Sequence, residues 1–145
     1  MLKVLIVDDS EMLRELFAEY LEAVGFCVVG VVGTVPEAIE AAHAKCPDVA
    51  LLDYQLGRQL GPEIFAQVPP PQRPAILYLS GRPLDQMLTT ANAEAYIQKP
   101  VSLQDLAAAL TAVWVRRTSG SASNIAVPNC LRWLDSYARK LTRFA

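Results

Sequence analysis

A chain of 145 residues with 52% hydrophobic content and a net charge of −2 is long enough for one domain with a buried core and a short appendage. No apolar run approaches the ~18–20 residues that span a bilayer, and the apolar opening Met1–Val7 is too short for a signal peptide before it meets Asp8 and Asp9. Cys27, Cys46 and Cys130 lack CxxC spacing and His43 has no ligand-type neighbour, which speaks against a disulfide frame or zinc site and for reduced thiols in a cytoplasmic protein.

In chain order, Val4–Val7 reads as a buried strand running into Asp8-Asp9. Ser10 caps a helix whose apolar face is Leu13, Leu16, Phe17, Tyr20, Leu21 and Val24, and Gly25 stops it. Phe26–Val32 is a second strand. Thr34-Val35-Pro36-Glu37 is a capping box opening a helix to about Lys45. Val49-Ala50-Leu51-Leu52-Asp53 is an unbroken apolar run ending in a carboxylate, the pattern of a central parallel strand.

Gly61-Pro62 starts a short helix that Pro69-Pro70-Pro71 ends. Ala75–Leu79 is a fourth strand ending at Ser80-Gly81. Residues 83–92 form a weak helix, and Ala95–Gln98 is a fifth strand ending at Lys99-Pro100. Ser102 caps a helix carrying Leu103, Leu106, Leu110, Val113 and Trp114. Residues 118–129 have linker composition, and residues 130–145 read as an amphipathic basic helix through Leu131, Leu134, Ala138 and Leu141. The charge divides with the chain: residues 1–115 carry 7 basic and 14 acidic side chains, residues 116–145 carry 6 and 1.

Strands alternating with helices predict an α/β fold with a parallel sheet, whose carboxyl edge is where ligands bind. Asp8, Asp9, Asp53, Ser80 and Lys99 all stand at strand ends and could meet there. Clustered carboxylates repel, and a divalent cation relieves them; an all-oxygen set suits Mg²⁺. A hydroxyl and an ammonium opposite the metal complete a site for phosphoryl transfer.

With Asp8-Asp9, Asp53, Ser80-Gly81, Lys99-Pro100 and Gly61 in this order, residues 1–117 resemble a response-regulator receiver domain. The resemblance implies a flavodoxin-like, doubly wound five-stranded parallel sheet of order 2-1-3-4-5, here with an extra C-terminal helix. It makes Asp53 the phosphoacceptor, with Asp8, Asp9, Asp53 and the Gln55 carbonyl as Mg²⁺ ligands. Ser80 and Lys99 hold the phosphoryl oxygens, Ser80 and Tyr96 form the switch, and Gln55 and Arg82 tune phosphoryl loss. Leu56-Gly57 stands where the family usually has Met-Pro.

The implied partners are a sensor histidine kinase or phosphotransfer protein and a downstream protein target. The C-terminal helix is expected to dock on a receiver surface, its own or that of a second copy; docking in trans, or pairing through the face of fourth helix, fifth strand and fifth helix, would make a homodimer. Neither nucleic acid nor membrane is an expected partner, and the protein is expected to switch rather than turn over substrate. About 30 residues after the receiver do not accommodate a typical DNA-binding domain, so a stand-alone regulator is expected. The rival reading is a degenerate receiver that acts only as an interaction or dimerisation module. The intact acidic trio with Ser80 and Lys99 argues against it.

Overall fold

Strands built from unbroken apolar runs must be covered on both faces, and that requirement organises this fold. The structure, a computed structural model, describes residues 1–56, the backbone of 59–60, and residues 68, 73–83, 93–120 and 125–134. Its elements are β1 (Lys3–Val7), α1 (Glu11–Ala23), β2 (Cys27–Val32), α2 (Val35–Lys45) and β3 (Val49–Asp53). They continue with β4 (Gln55–Leu56), β5 (Gln59–Leu60), β6 (Ala75–Ser80), β7 (Ala95–Gln98), α3 (Leu103–Ser119) and β8 (Leu131–Trp133). The helices expected after Gly61-Pro62 and over 83–92 lie outside the described residues.

The main sheet has the order β2-β1-β3-β6-β7-β8. Its first five strands pair in parallel and reproduce the expected order; β8 adds an antiparallel sixth. One core layer, on the α2 side, contains Leu5, Val7, Leu52, Tyr54, Tyr78 and Tyr96. The other contains Ile6, Leu51, Leu77 and Ile97 under Phe17 and Leu21 of α1 and Leu106 and Leu110 of α3.

The helix starts follow their caps. Ser10 Oγ accepts from Leu13 N–H at 3.3 Å, Thr34 Oγ1 from Glu37 N–H at 3.4 Å, and Ser102 Oγ from Asp105 N–H at 3.0 Å. The apolar face of α1 is narrower than expected: Leu16 and Val24 are 45% and 48% exposed. α1 packs on one sheet face and against α3, so only a stripe centred on Phe17 and Leu21 is enclosed.

Two further expectations change. Thr118 and Ser119, read as linker, extend α3, which ends at Gly120 in the left-handed conformation. The C-terminal helix expected from residue 130 is a strand where the structure describes it, Leu131–Trp133; residues 135–145 lie outside the described residues. Spacing of Leu131 and Leu134 suits a helix turn, but β7 otherwise ends the sheet with unpaired backbone groups, and pairing satisfies them. Leu134 N–H donates to Glu94 O at 3.1 Å, and Leu134 is buried.

Candidate functional site

β1 and β3 lie side by side while the next strands, β2 and β6, lie in opposite directions along the sheet, so a crevice opens at their carboxyl ends. Asp8 and Asp9 follow β1 and Asp53 ends β3, so the two arms of this crevice are acidic. One carboxylate oxygen from each of Asp8, Asp9 and Asp53 lies within 4.8 Å of the others. β6 and β7 are the next strands along and bring Ser80 and Lys99 to the same edge. Lys99 Nζ is 3.7 Å from Asp53 Oδ1.

A cleft of about 500 Å³ opens here, lined by Asp9, Asp53, Tyr54, Gln55, Ser80, Gly81 and Arg82. Ser80 Oγ accepts from Arg82 N–H at 3.1 Å and Asp53 Oδ1 from Gln55 N–H at 3.4 Å. The loop backbone thus orients the groups at the mouth. Gln55 and Arg82 are themselves exposed at its rim. Every expected site residue except Tyr96 is therefore at this edge. Tyr96 is one layer below, in β7, and its ring is already inside the protein at 2% exposure.

The electrostatics suit a cation. Burial raises the Asp8 carboxyl above its ordinary range, Asp9 adding to the rise while the Ser10 N–H, Lys99 and Arg14 oppose it. Asp53 is raised mainly by burial and further by Asp8 and Asp9, against the pull of Lys99 and the Gln55 N–H. Asp8 Oδ1 accepts from Ser10 N–H at 2.9 Å, whereas Asp8 Oδ2 is buried with no hydrogen-bond partner among the described residues. A buried carboxylate oxygen without a donor, beside two more carboxylates, fits a hard oxygen-preferring divalent ion such as Mg²⁺.

Two supports were not anticipated. Arg14, one turn past the cap Ser10, donates to Asp8 O at 2.8 Å and lies over Gly33, where a Cβ would collide with its guanidinium. Its one-turn spacing from the cap was the available signal. β4 and β5 pair as a small antiparallel ribbon directly after Asp53. Gly57-Arg58 between two short segments is a two-residue hairpin signature.

Comparison with known proteins agrees with this geometry. The Response regulator receiver domain family matches residues 4–111. The chain is 32% identical over 111 residues to the transcriptional regulatory protein PdtaR of Mycobacterium tuberculosis, covering 74% of this chain and 54% of that protein. It is 36% identical over 105 residues to the transcriptional regulatory protein BtsR of Escherichia coli, covering 70% and 43%. The chain thus spans about half the length of these curated relatives. The signal receiver domain of a modulated diguanylate cyclase from Desulfovibrio desulfuricans G20 superposes with a TM-score of 0.72 at 26% identity, covering 83% of this chain and 99% of that one.

A flavodoxin-like sheet with this acidic crevice, and a family match over most of its length, make the chain a member of the response regulator receiver domain family. The family works as a phosphorylation-dependent signalling switch in two-component systems. Among the described residues, no helix is long and apolar enough to cross a membrane.

Proposed function

We propose that Asp53 accepts a phosphoryl group from the phosphohistidine of a sensor histidine kinase or phosphotransfer protein, and that the acylphosphate shifts the domain to a state that binds a downstream protein. The observation that carries this reading is the acidic trio within 4.8 Å, with Lys99 Nζ 3.7 Å from Asp53 Oδ1. An Asp53 oxygen attacks phosphorus as the bond from phosphorus to the histidine nitrogen breaks. That nitrogen keeps the electron pair and takes a proton from solvent. The Lys99 ammonium and Ser80 hydroxyl donate to the phosphoryl oxygens.

Asp8, Asp9, Asp53 and the Gln55 carbonyl would hold Mg²⁺, which supplies the positive charge that lets a phosphoryl donor approach three carboxylates. Gln55 and Arg82, at the rim of the cleft, control how water reaches the acylphosphate and so tune its lifetime. Ser80 moves toward the phosphoryl group, and the Tyr96 ring, in the layer beneath, fills the space that Ser80 leaves.

Phos-tag electrophoresis with acetyl phosphate and Mg²⁺ tests the assignment. The protein should take up one phosphoryl group, Asp53→Asn should take up none while remaining folded, and EDTA should stop labelling. Undiminished labelling of Asp53→Asn would refute the acceptor role.

A further inference from the structure

β7 is the last of the five parallel strands, and its outer backbone groups would otherwise face solvent. Lys99 N–H donates to Ser80 O, so odd-numbered positions along this strand aim their backbone groups at β6. The alternation aims the N–H and C=O of Tyr96 outward, where they meet Arg132 of β8. Antiparallel partners share a face, so Arg132 stands beside the Tyr96 side chain. Leu134, two residues on, enters the core layer that holds Tyr96 and Tyr78. Leu131 and Trp133 cover the opposite layer, with the Arg116 guanidinium 4.4 Å from the Trp133 ring centre. Arg116 and residues 131–134 lie beyond residue 111, where the family match ends.

We propose that residues 128–134 form a detachable edge strand that holds Tyr96 in the core, and that its docking is linked to occupation of Asp53. It is detachable because, among the described residues, the pairing covers three residues and Leu131 and Leu134 are the enclosed side chains; short edge pairings of this kind open well before the sheet does. The link is β7 itself, which carries Tyr96 three residues before Lys99, the cation beside Asp53.

The sign of the linkage rests on the phosphoacceptor reading. The docked strand keeps Tyr96 in the inward arrangement that Ser80 favours once it has moved toward a phosphoryl group. Docking and site occupation therefore strengthen each other, and the coupling is reciprocal.

The test uses the full chain and beryllofluoride with Mg²⁺ as the phosphoryl mimic. Arg132→Pro removes the N–H aimed at Tyr96 O, Leu134→Ala removes the core anchor, and Arg132→Ala keeps the ladder as a control. By NMR, the Tyr96 amide should exchange about tenfold faster or more in the first two and near the wild-type rate in the control, with Leu77–Leu79 amides unchanged. Beryllofluoride affinity should fall about fivefold or more in the same two variants.

Unchanged Tyr96 exchange in both variants would overturn the detachable strand. Faster exchange with unaltered beryllofluoride affinity would overturn the linkage. A full chain that binds no beryllofluoride would instead sink the Asp53 reading and the linkage with it, while amide exchange still decides the strand. Should Arg132→Pro fail to fold, with the Leu77–Leu79 amides unprotected, Leu134→Ala carries the same readouts.

Discussion

Tyr78 sits at the centre of β6, fully buried, and meets Tyr54 edge-on with ring centres 5.9 Å apart. Its hydroxyl has no hydrogen-bond partner among the described residues, and burial, aided by Tyr54 and Glu94, holds the phenol far above its ordinary range. A neutral, unpaired hydroxyl in a core costs free energy that a hydrogen atom would not. Tyr78→Phe should therefore raise stability by about 1 kcal/mol, read as a higher urea midpoint at constant slope. A lowered midpoint would mean that the hydroxyl is satisfied in solution. Gly33 makes a second case, because its missing side chain is what lets Arg14 reach Asp8 O. Gly33→Ala and Arg14→Ala should each cost about 1–2 kcal/mol by removing the same charged hydrogen bond. The double variant should cost little more than either single one; additive costs would show that Gly33 acts independently of Arg14.

Among the elements, α3 is tied down at both ends. Ser102 caps its start, and near its end Arg117 donates to Pro74 O at 3.2 Å, to Arg73 O at 3.0 Å and to Glu94 Oε1 at 2.7 Å. Glu94 in turn accepts from Ile76 N–H, so the clamp joins the helix to the entrances of both β6 and β7. The site depends on these strands, since they deliver Ser80 and Lys99. The Arg117 side chain is 35% exposed, so its ion pair with Glu94 counts for little and its bonds to backbone carbonyls for more. Arg117→Ala should lower stability by about 1.5–3 kcal/mol in urea titration. Arg117→Lys should recover only part, because one ammonium cannot span three acceptors as a planar fork does. Full recovery by lysine would mean that charge alone matters.

At the scale of the molecule, the acidic crevice is a stability cost that a bound cation would remove. Asp8 and Asp53 have folded-state values above 3.8, their ordinary value, so the metal-free folded protein binds protons that the unfolded chain releases. Their contribution is most favourable below 3.8 and is lost as pH rises through the raised folded values. In EDTA, Asp8→Asn should raise the neutral-pH Tm and flatten this fall, while the asparagine oxygen keeps the Ser10 N–H bonded. Mg²⁺ at ten times its Kd should stabilise the unaltered protein by about 1.4 kcal/mol and Asp8→Asn by much less. Melts at several pH values with and without Mg²⁺ measure both effects; a Tm in EDTA that ignores Asp8→Asn would contradict the account. The basic end of the chain is also partly structural. Arg116 lies over Trp133 and Arg117 forms the clamp, both in the last turn of α3 where a cation suits the helix dipole.

Features that are local in origin were legible in the residues themselves. Apolar runs at Val4–Val7, Val49–Leu52, Ala75–Leu79 and Ala95–Ile97 could be stable only as strands covered on both faces, and Ser10, Thr34 and Ser102 begin helices through hydrogen bonds three residues long. The polar groups that end those strands were legible for the same reason, since parallel pairing sends every such end to one edge. Tertiary structure alone decided the rest. Four residues, Leu131–Leu134, fit a helix turn or a strand equally well, and the choice fell to the backbone groups that β7 had left unpaired. Leu16 and Val24 stay exposed although their spacing is apolar, because the width of a buried stripe is set by what packs against it. Tyr96 is enclosed through the same nonlocal pairing: the segment that covers it is 36 positions away in the chain, beyond the reach of any local pattern.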